Sequence, residues 1–129
     1  TKVLICDSTN SYWYKTYAFP KGGIEKGESK LDAAIRELKE ETSIKIKKTQ
    51  IVDEDPICVE YKDKNGEIYK KVYLYRVYII DVSEIGLDSE IVPKKNLQIE
   101  EVDWCGFLSK KEAVNKIFFR VEHFLKLID

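Results

Sequence analysis

The stretch GGIEKGESKLDAAIRELKEETSI, residues 22–44, combines a glycine-rich start with a cluster of glutamates. It opens on glycines and then carries five glutamates, at positions 25, 28, 37, 40 and 41. Like charges at helical spacing repel each other by roughly 0.2–0.5 kcal/mol per pair. A glutamate-rich segment of this kind is either an ordinary solvated helix face or a functional cluster of carboxylates.

The segment 30–42 is predicted to be a helix, because Ser29 and Asp32 resemble a capping box in front of it. At about 100° per residue, the last three glutamates fall on a ridge about 100° wide. The ridge lies beside the small Ala33 and next to an apolar stripe predicted to face the core. The ridge consists of Glu37, Glu40 and Glu41, and the stripe of Leu31, Ala34, Ile35, Leu38 and Thr42.

Clustered carboxylates are ligands that hard divalent cations select. Mg²⁺ prefers oxygen ligands and commonly combines a few carboxylates with waters and a substrate phosphate. Such a site suits a diphosphate or polyphosphate substrate, because the cation neutralises phosphate charge and can activate an attacking water. The glycines ahead of the helix allow the backbone to approach the same place.

Composition bounds the class of protein. The chain has 129 residues, 43% of them hydrophobic, which fits one globular domain. Lys and Arg total 22 against 23 acidic residues, which weighs against nucleic-acid binding driven by bulk charge. Three widely spaced cysteines (Cys6, Cys58 and Cys105) without a CxxC pair favour a reduced cytoplasmic protein. No apolar run has membrane-spanning length, so no membrane partner is expected.

The order of elements indicates a mixed sheet with helices packed on it. An Asn-Gly pair within residues 62–67 predicts a hairpin, and Ser109 with Glu112 predicts the cap of a C-terminal helix that runs to Ile128. Strands are predicted at 2–6, 16–19, 44–62 with a break at Pro56, 68–81 and 99–107.

The spacing within residues 22–44 resembles the signature of the Nudix hydrolases, G-x5-E-x7-R-E-U-x-E-E-x-G-U, where U is a bulky aliphatic residue. Eight of its nine specified positions match. The departure is Ser43, where the family usually has glycine. A residue with a side chain strains the turn there by up to about 1 kcal/mol if its φ is positive.

The resemblance implies an α/β fold, the Nudix α/β/α sandwich with a mixed β-sheet flanked by helices. It extends past the signature, since EVDWCGFLSKKEAV (101–114) is similar to the usual end of these domains. We therefore expect a single Nudix domain over residues 1–129. The family's first strand is expected to precede Thr1 and to have been trimmed.

The resemblance also implies the site. The ridge glutamates, joined by the carbonyl of Gly22, would bind Mg²⁺ or Mn²⁺, and Glu28 paired with Arg36 would brace the loop against the helix. The catalytic base is left open between a ridge glutamate and the downstream Glu100 or Glu101, with Glu101 preferred. It is equally consistent with the sequence that Glu100 and Glu101 are simply exposed acidic residues at the start of a strand.

The resemblance implies hydrolysis of a phosphoanhydride in a nucleoside diphosphate-linked substrate, with dinucleoside polyphosphates or nucleoside triphosphates as the leading expectation. Lys21, Tyr61 and Arg76 are the candidate substrate-binding residues. The alternatives are mRNA decapping, hydrolysis of diphosphoinositol polyphosphates, and an inactive Nudix domain that senses a ligand. Trp13 is as suited to stacking on a base as to loop packing, and His123 is expected to pack a helix or face solvent rather than act in catalysis.

Overall fold

The computed structural model describes residues 2–9, 17–117 and 124–126. The predictions for Trp13 and His123 lie outside these residues. Its strands are β1 (Lys2–Ser8), β2 (Tyr17–Ala18), β3 (Ile57–Lys62), β4 (Ile68–Leu74) and β5 (Val102–Ser109). Its α-helices are α1 (Lys30–Thr42) and α2 (Lys110–Lys116), and short 3₁₀ turns occupy Lys48–Gln50, Val82–Ile85 and Lys94–Asn96.

The main sheet has the strand order β2-β1-β5, and its strands run antiparallel. An isolated parallel bridge between Tyr17 and Ile117 makes the pairing mixed. Alternate residues of a strand point to opposite faces of the sheet. In β1 this places Val3 and Ile5 on one face and Leu4 and Cys6 on the other, and both faces pack against hydrophobic side chains.

Each face of β1 belongs to a different core. One core joins Cys6 to Leu38 and Ile44, at the end of α1. The other joins Val3 and Ile5 to residues of and beyond α2, namely Ala113, Ile117 and Leu125. The sheet is thus covered by a helix on each side, and the predicted α/β/α sandwich is confirmed.

Two of the three free thiols meet across the main sheet. Cys6 and Cys105 are cross-strand partners, both buried, with 2.9 Å between their sulfur atoms. The neighbouring Cys105 thiol and burial raise the pKa of Cys6, since both disfavour the thiolate. Cys58 is exposed.

The predicted hairpin is confirmed. β3 and β4 pair antiparallel, and Gly66 has a φ of 82° in the connecting turn. Asp63 stabilises the turn, because its carboxylate accepts hydrogen bonds from the backbone N–H groups of Asn65 and Glu67 at 2.8 and 3.0 Å.

Two long strand predictions were wrong. β4 ends at Leu74 rather than 81, and Glu84 accepts the backbone N–H groups of Ile80 and Asp81 at 2.6 and 2.8 Å. Residues 44–52 form no strand beyond one bridge between Ile51 and Val77. A 3₁₀ turn intervenes there. β4 has no partner in β3 beyond Leu74, because Leu74 pairs with Ile57, the first residue of β3. The turns at 48–50 and 82–85 satisfy neighbouring backbone groups locally.

The last two elements also differ from prediction. β5 begins at Val102 rather than 99, because the carbonyl of Gln98 accepts the N–H groups of Glu101 and Val102 in a turn. The capping box of Ser109 and Glu112 is confirmed, but α2 ends at Lys116 because Ile117 adopts an extended conformation. Neither helix, within the residues described, is long and apolar enough to cross a membrane.

Candidate active site

The helix that carries the glutamates begins and ends where the sequence predicts. The Ser29 hydroxyl oxygen accepts the N–H of Asp32 at 3.1 Å, which satisfies one of the free amides of the first turn. At the other end Ser43 adopts a left-handed conformation, and its N–H reaches the carbonyl of Lys39 at 2.8 Å. A conformation of this kind closes a helix after its last turn.

The buried face of α1 includes part of the acidic ridge. Ala33, Glu41 and Thr42 are its buried residues, whereas most of the predicted apolar stripe is only half-buried. The reason is tertiary: the glycine-rich loop and the segment that follows the Lys94–Asn96 turn both make contacts at this side of the helix.

Glu41 is the most enclosed member of the ridge, with 8% of its surface exposed. Its Oε1 accepts the backbone N–H of Lys21 at 3.0 Å. Burial is the main cause that raises the pKa of Glu41 to about 7; the charges of Glu37 and Glu101 act in the same direction, and Lys21 opposes them. A buried carboxyl with a pKa near neutrality can hold or release a proton at working pH and binds a cation as the carboxylate.

Glu37 lies against the glycine-rich loop. A methyl group built onto Gly22 would overlap the Glu37 carboxylate, whereas one on Gly23 would meet nothing within 4 Å. Gly22 is therefore required for the close approach of loop and helix. The approach brings loop backbone beside the carboxylate. The metal-binding role of the Gly22 carbonyl stays a prediction.

Arg36 joins the loop to the ridge. Its Nε donates to Oε2 of Glu28 at 2.8 Å and its Nη2 to Oε1 of the same carboxylate at 3.0 Å, a bidentate pair. The same Nη2 donates to the carbonyl of Gly23 at 2.8 Å. Arg36 accordingly lowers the pKa of Glu28. The predicted partners Glu28 and Arg36 are in contact, and the carbonyl of Gly23, which the sequence did not single out, joins them; their supporting role stays a prediction.

The other terminal nitrogen of Arg36 contacts the ridge. Its Nη1 lies 2.9 Å from Oε1 of Glu37 and 3.2 Å from Oε2 of Glu40. Within residues 2–9, 17–117 and 124–126, no three acidic, cysteine or histidine side chains converge on one point as metal ligands do. Arg36 thus contacts one carboxylate oxygen of Glu37 and one of Glu40.

The ridge fits a hard divalent cation by its chemistry. Its donors are carboxylate oxygens, and the Gly22 approach adds backbone beside them. A divalent cation, when bound, neutralises phosphate charge and lowers the pKa of a coordinated water. The chain itself contributes the positioning: Arg36 with Glu28 fixes the loop, and the Lys21 amide orients Glu41.

The downstream acids lie at the turn before β5, and both are exposed. The Glu101 carbonyl accepts the N–H of Thr9 at 3.0 Å, which fastens this turn to the end of β1. The charge of Glu101 raises the pKa of Glu41, so this carboxylate lies within electrostatic reach of the ridge. The choice of Glu101 over Glu100 as base stays a prediction.

The predicted substrate residues are spread over three segments. Lys21 is exposed in the loop, and Arg76 follows β4, where its carbonyl accepts the N–H of Val52. The Tyr61 ring lies 6.4 Å from the Tyr69 ring and 6.0 Å from the ammonium nitrogen of Lys70. Their roles in substrate binding stay predictions.

The hairpin also contacts the start of α1. The Lys30 ammonium lies 4.4 Å from the centre of the Tyr73 ring. Tyr61 pairs with Lys70 and Cys58 with Tyr73, so Tyr61 and Tyr73 point to opposite faces of the hairpin. The hairpin therefore contacts α1 through the face that carries Tyr73, and Tyr61 lies on the opposite face.

Sequence reasoning missed the contacts that hold the end of α1. The Gln98 N–H donates to the Glu41 carbonyl at 3.0 Å, and the Ser43 hydroxyl donates to the Asn96 carbonyl at 2.6 Å. More than 50 residues separate the partners in sequence, so no local pattern indicates them. The single hint was Ser43 itself, the residue that departs from the signature.

Comparison with known proteins agrees with this geometry. The sequence profile of the NUDIX domain matches residues 1–122. An RNA pyrophosphohydrolase of Campylobacter jejuni subsp. doylei is 38% identical over 112 residues, covering 87% of this chain and 67% of the relative. The mRNA-decapping protein g5R of African swine fever virus is 29% identical over 105 residues, covering 77% of this chain and 42% of that protein.

Among solved structures, a binary complex of a C. elegans Ap4A hydrolase superposes with a TM-score of 0.58, covering 98% of this chain and 83% of that one. At 21% sequence identity this likeness shows the fold alone. The profile match and the Campylobacter relative confirm the family predicted from residues 22–44: the chain belongs to the NUDIX family and is a Nudix hydrolase.

Proposed function

We propose that this Nudix hydrolase is a Mg²⁺- or Mn²⁺-dependent pyrophosphohydrolase whose leading substrate is the 5′-polyphosphate end of an RNA. The observation that carries the hydrolase site is the burial of Glu41 within the ridge, with Gly22 packed on Glu37 and Arg36 bracing the loop. Glu37, Glu40, Glu41 and Gly22 are the proposed cation-binding residues, and Glu101 is the proposed base.

The substrate class follows from bond chemistry and from the relatives. Internal linkages of RNA are phosphodiesters, so a pyrophosphohydrolase that acts on RNA must act on the phosphoanhydrides of its 5′ end. The relatives named RNA pyrophosphohydrolase support this choice over the nucleotides favoured by the sequence. Exposed lysines of the β3–β4 hairpin supply positive charge for a phosphate-rich chain. These are Lys62, Lys64, Lys70 and Lys71.

Dinucleoside polyphosphates are the second candidate, and Tyr61 is the observation that favours them. Its ring lies next to Tyr69 and Lys70, which together offer an aromatic surface and a positive charge. A purine base can stack on such a ring, and the lysine can attract a polyphosphate. Diphosphoinositol polyphosphates would use the lysines without the rings. An inactive sensor is disfavoured because the signature carboxylates are all retained.

The test is a substrate panel assayed with Mg²⁺ and with Mn²⁺. It contains 5′-triphosphorylated RNA, capped RNA, a diadenosine polyphosphate, nucleoside triphosphates, ADP-ribose and an inositol pyrophosphate. We expect the highest kcat/KM on triphosphorylated RNA, with release of phosphate or pyrophosphate and a 5′-monophosphate end. A higher kcat/KM on the diadenosine compound would replace the leading candidate by the second.

A pair of variants tests the site. Glu41→Gln keeps the shape of the side chain and an oxygen for the Lys21 amide but cannot become a carboxylate, so it should nearly abolish hydrolysis. Glu54→Gln is the matched control, because Glu54 is exposed and lies outside the signature. Retained activity in Glu41→Gln would refute the assignment of the ridge.

A further inference from the structure

Ser43 holds a backbone conformation that side chains rarely adopt. Its φ is 64° and its ψ is 6°. Among residues 2–9, 17–117 and 124–126, no other non-glycine residue has a positive φ. Glycine adopts this conformation without strain, and asparagine tolerates it better than most other residues. A serine at this position is disfavoured by its backbone and needs a compensating contact.

The side chain makes such a contact. The Ser43 hydroxyl donates to the Asn96 carbonyl at 2.6 Å, a bond that glycine cannot form. Two residues earlier, the carbonyl of Glu41 accepts the N–H of Gln98 at 3.0 Å. Two hydrogen bonds thus tie the end of α1, which carries the ridge, to the segment 96–98.

That segment leads directly to the proposed base. The carbonyl of Gln98 accepts the N–H groups of Glu101 and Val102, each at 2.8 Å, and forms a tight turn. The Thr9 amide holds the Glu101 carbonyl from the other side. A displacement of Asn96 and Gln98 would therefore move the backbone of Glu101 relative to Glu41.

We propose that Ser43 is a positioning residue: its hydroxyl holds the segment 96–101 against the end of the ridge helix and so keeps Glu101 beside the cation-binding carboxylates. The inference rests on the proposed function for its catalytic consequence. Its structural part stands on the two hydrogen bonds and the turn. Where the family usually has a glycine, the serine thus adds a hydrogen bond to the carbonyl of Asn96, which is distant in sequence.

Three substitutions separate the hydroxyl from the backbone strain. Ser43→Gly removes both the hydroxyl and the strain, and Ser43→Ala removes only the hydroxyl. Ser43→Asn tolerates the left-handed conformation and offers an amide N–H as donor. We expect kcat to fall about tenfold in the Gly and Ala variants and to return to within about threefold of wild type in the Asn variant, as for residues that orient others.

Further measurements test whether the effect passes through Glu101. Mn²⁺ affinity, measured by electron paramagnetic resonance, should stay within about twofold in Ser43→Gly, because the ridge itself is unchanged. In the Glu101→Gln background, Ser43→Gly should lower kcat by less than about twofold. A tenfold loss that persists in that background, or an unchanged kcat in Ser43→Gly, would overturn the proposal.

Hydrogen exchange decides the positioning role even if the substrate panel shows no hydrolysis and the proposed function fails. The amides of Gln98, Glu101 and Val102 should exchange about tenfold faster in Ser43→Gly than in wild type, and at the wild-type rate in Ser43→Asn. Unchanged exchange of these amides in Ser43→Gly would refute the link.

Discussion

Replacing Gly22 by alanine should separate activity from stability. The added methyl group would overlap the Glu37 carboxylate, which is the end of a flexible side chain and can move away. The backbone of Gly22 has no positive φ that alanine would resist. We therefore expect the fold to survive and the Glu37 carboxylate to shift by about 1 Å or more, the displacement that relieves the overlap.

A displacement of that size in a positioned catalytic group lowers the rate by about 100-fold, or about 2.7 kcal/mol in transition-state free energy. The measurement is kcat/KM on the best substrate of the panel, with cation affinity measured by calorimetry in the same samples. Cation affinity should fall together with kcat/KM, because the displaced carboxylate is a proposed ligand.

Gly23→Ala is the matched control. It makes the same chemical change one residue later, where the methyl group meets nothing within 4 Å. Both substitutions reduce the freedom of the unfolded chain and should each raise the free energy of unfolding by about 0.4–1 kcal/mol if the folded loop accepts them. If Gly22→Ala kept kcat/KM within about threefold of Gly23→Ala, the contact of Gly22 with Glu37 would have no catalytic importance.

Three further predictions follow from individual side chains. Burial raises the pKa of Glu41 to about 7 from an ordinary 4.5, so the folded protein binds more protons than the unfolded chain between these values. In urea unfolding of the metal-free protein, the free energy of unfolding should decrease by up to about 3 kcal/mol between pH 5 and pH 8. In Glu41→Gln this decrease should be absent. Arg36→Lys cannot keep the bidentate pair with Glu28, and calorimetry should show cation affinity about 10- to 100-fold weaker. Cys58 is the exposed thiol, so Ellman's reagent should titrate one thiol rapidly in the folded protein, and Cys58→Ser should remove that phase; rapid labelling of the buried thiols would contradict the packing.

Local patterns were sufficient for the elements whose hydrogen bonds are local. The helix 30–42, the Asn-Gly hairpin and the Ser109 capping box each have their own sequence signals, and the structure has all three. Strand predictions failed in the segments 44–52 and 75–81. Both are rich in residues that favour strands, but they meet in one isolated bridge between Ile51 and Val77, because a ladder depends on a partner that periodicity does not reveal.

Residue spacing was sufficient to predict the family and the ridge. Helical periodicity places Glu37, Glu40 and Glu41 on one ridge, because side-chain direction along a helix depends only on residue spacing. The signature also includes Glu28 and Arg36, and in the structure their side chains form a bidentate ion pair.

Which carboxylate is buried, and what holds it, depends on tertiary contacts. Glu41 is enclosed because Lys21 and Gln98, from two distant segments, bond to it. The Ser43 hydroxyl likewise finds its partner 53 residues away. Spacing fixes the direction of a side chain, but burial and pKa depend on the segments that cover it, and the folding of the whole chain determines which segments those are.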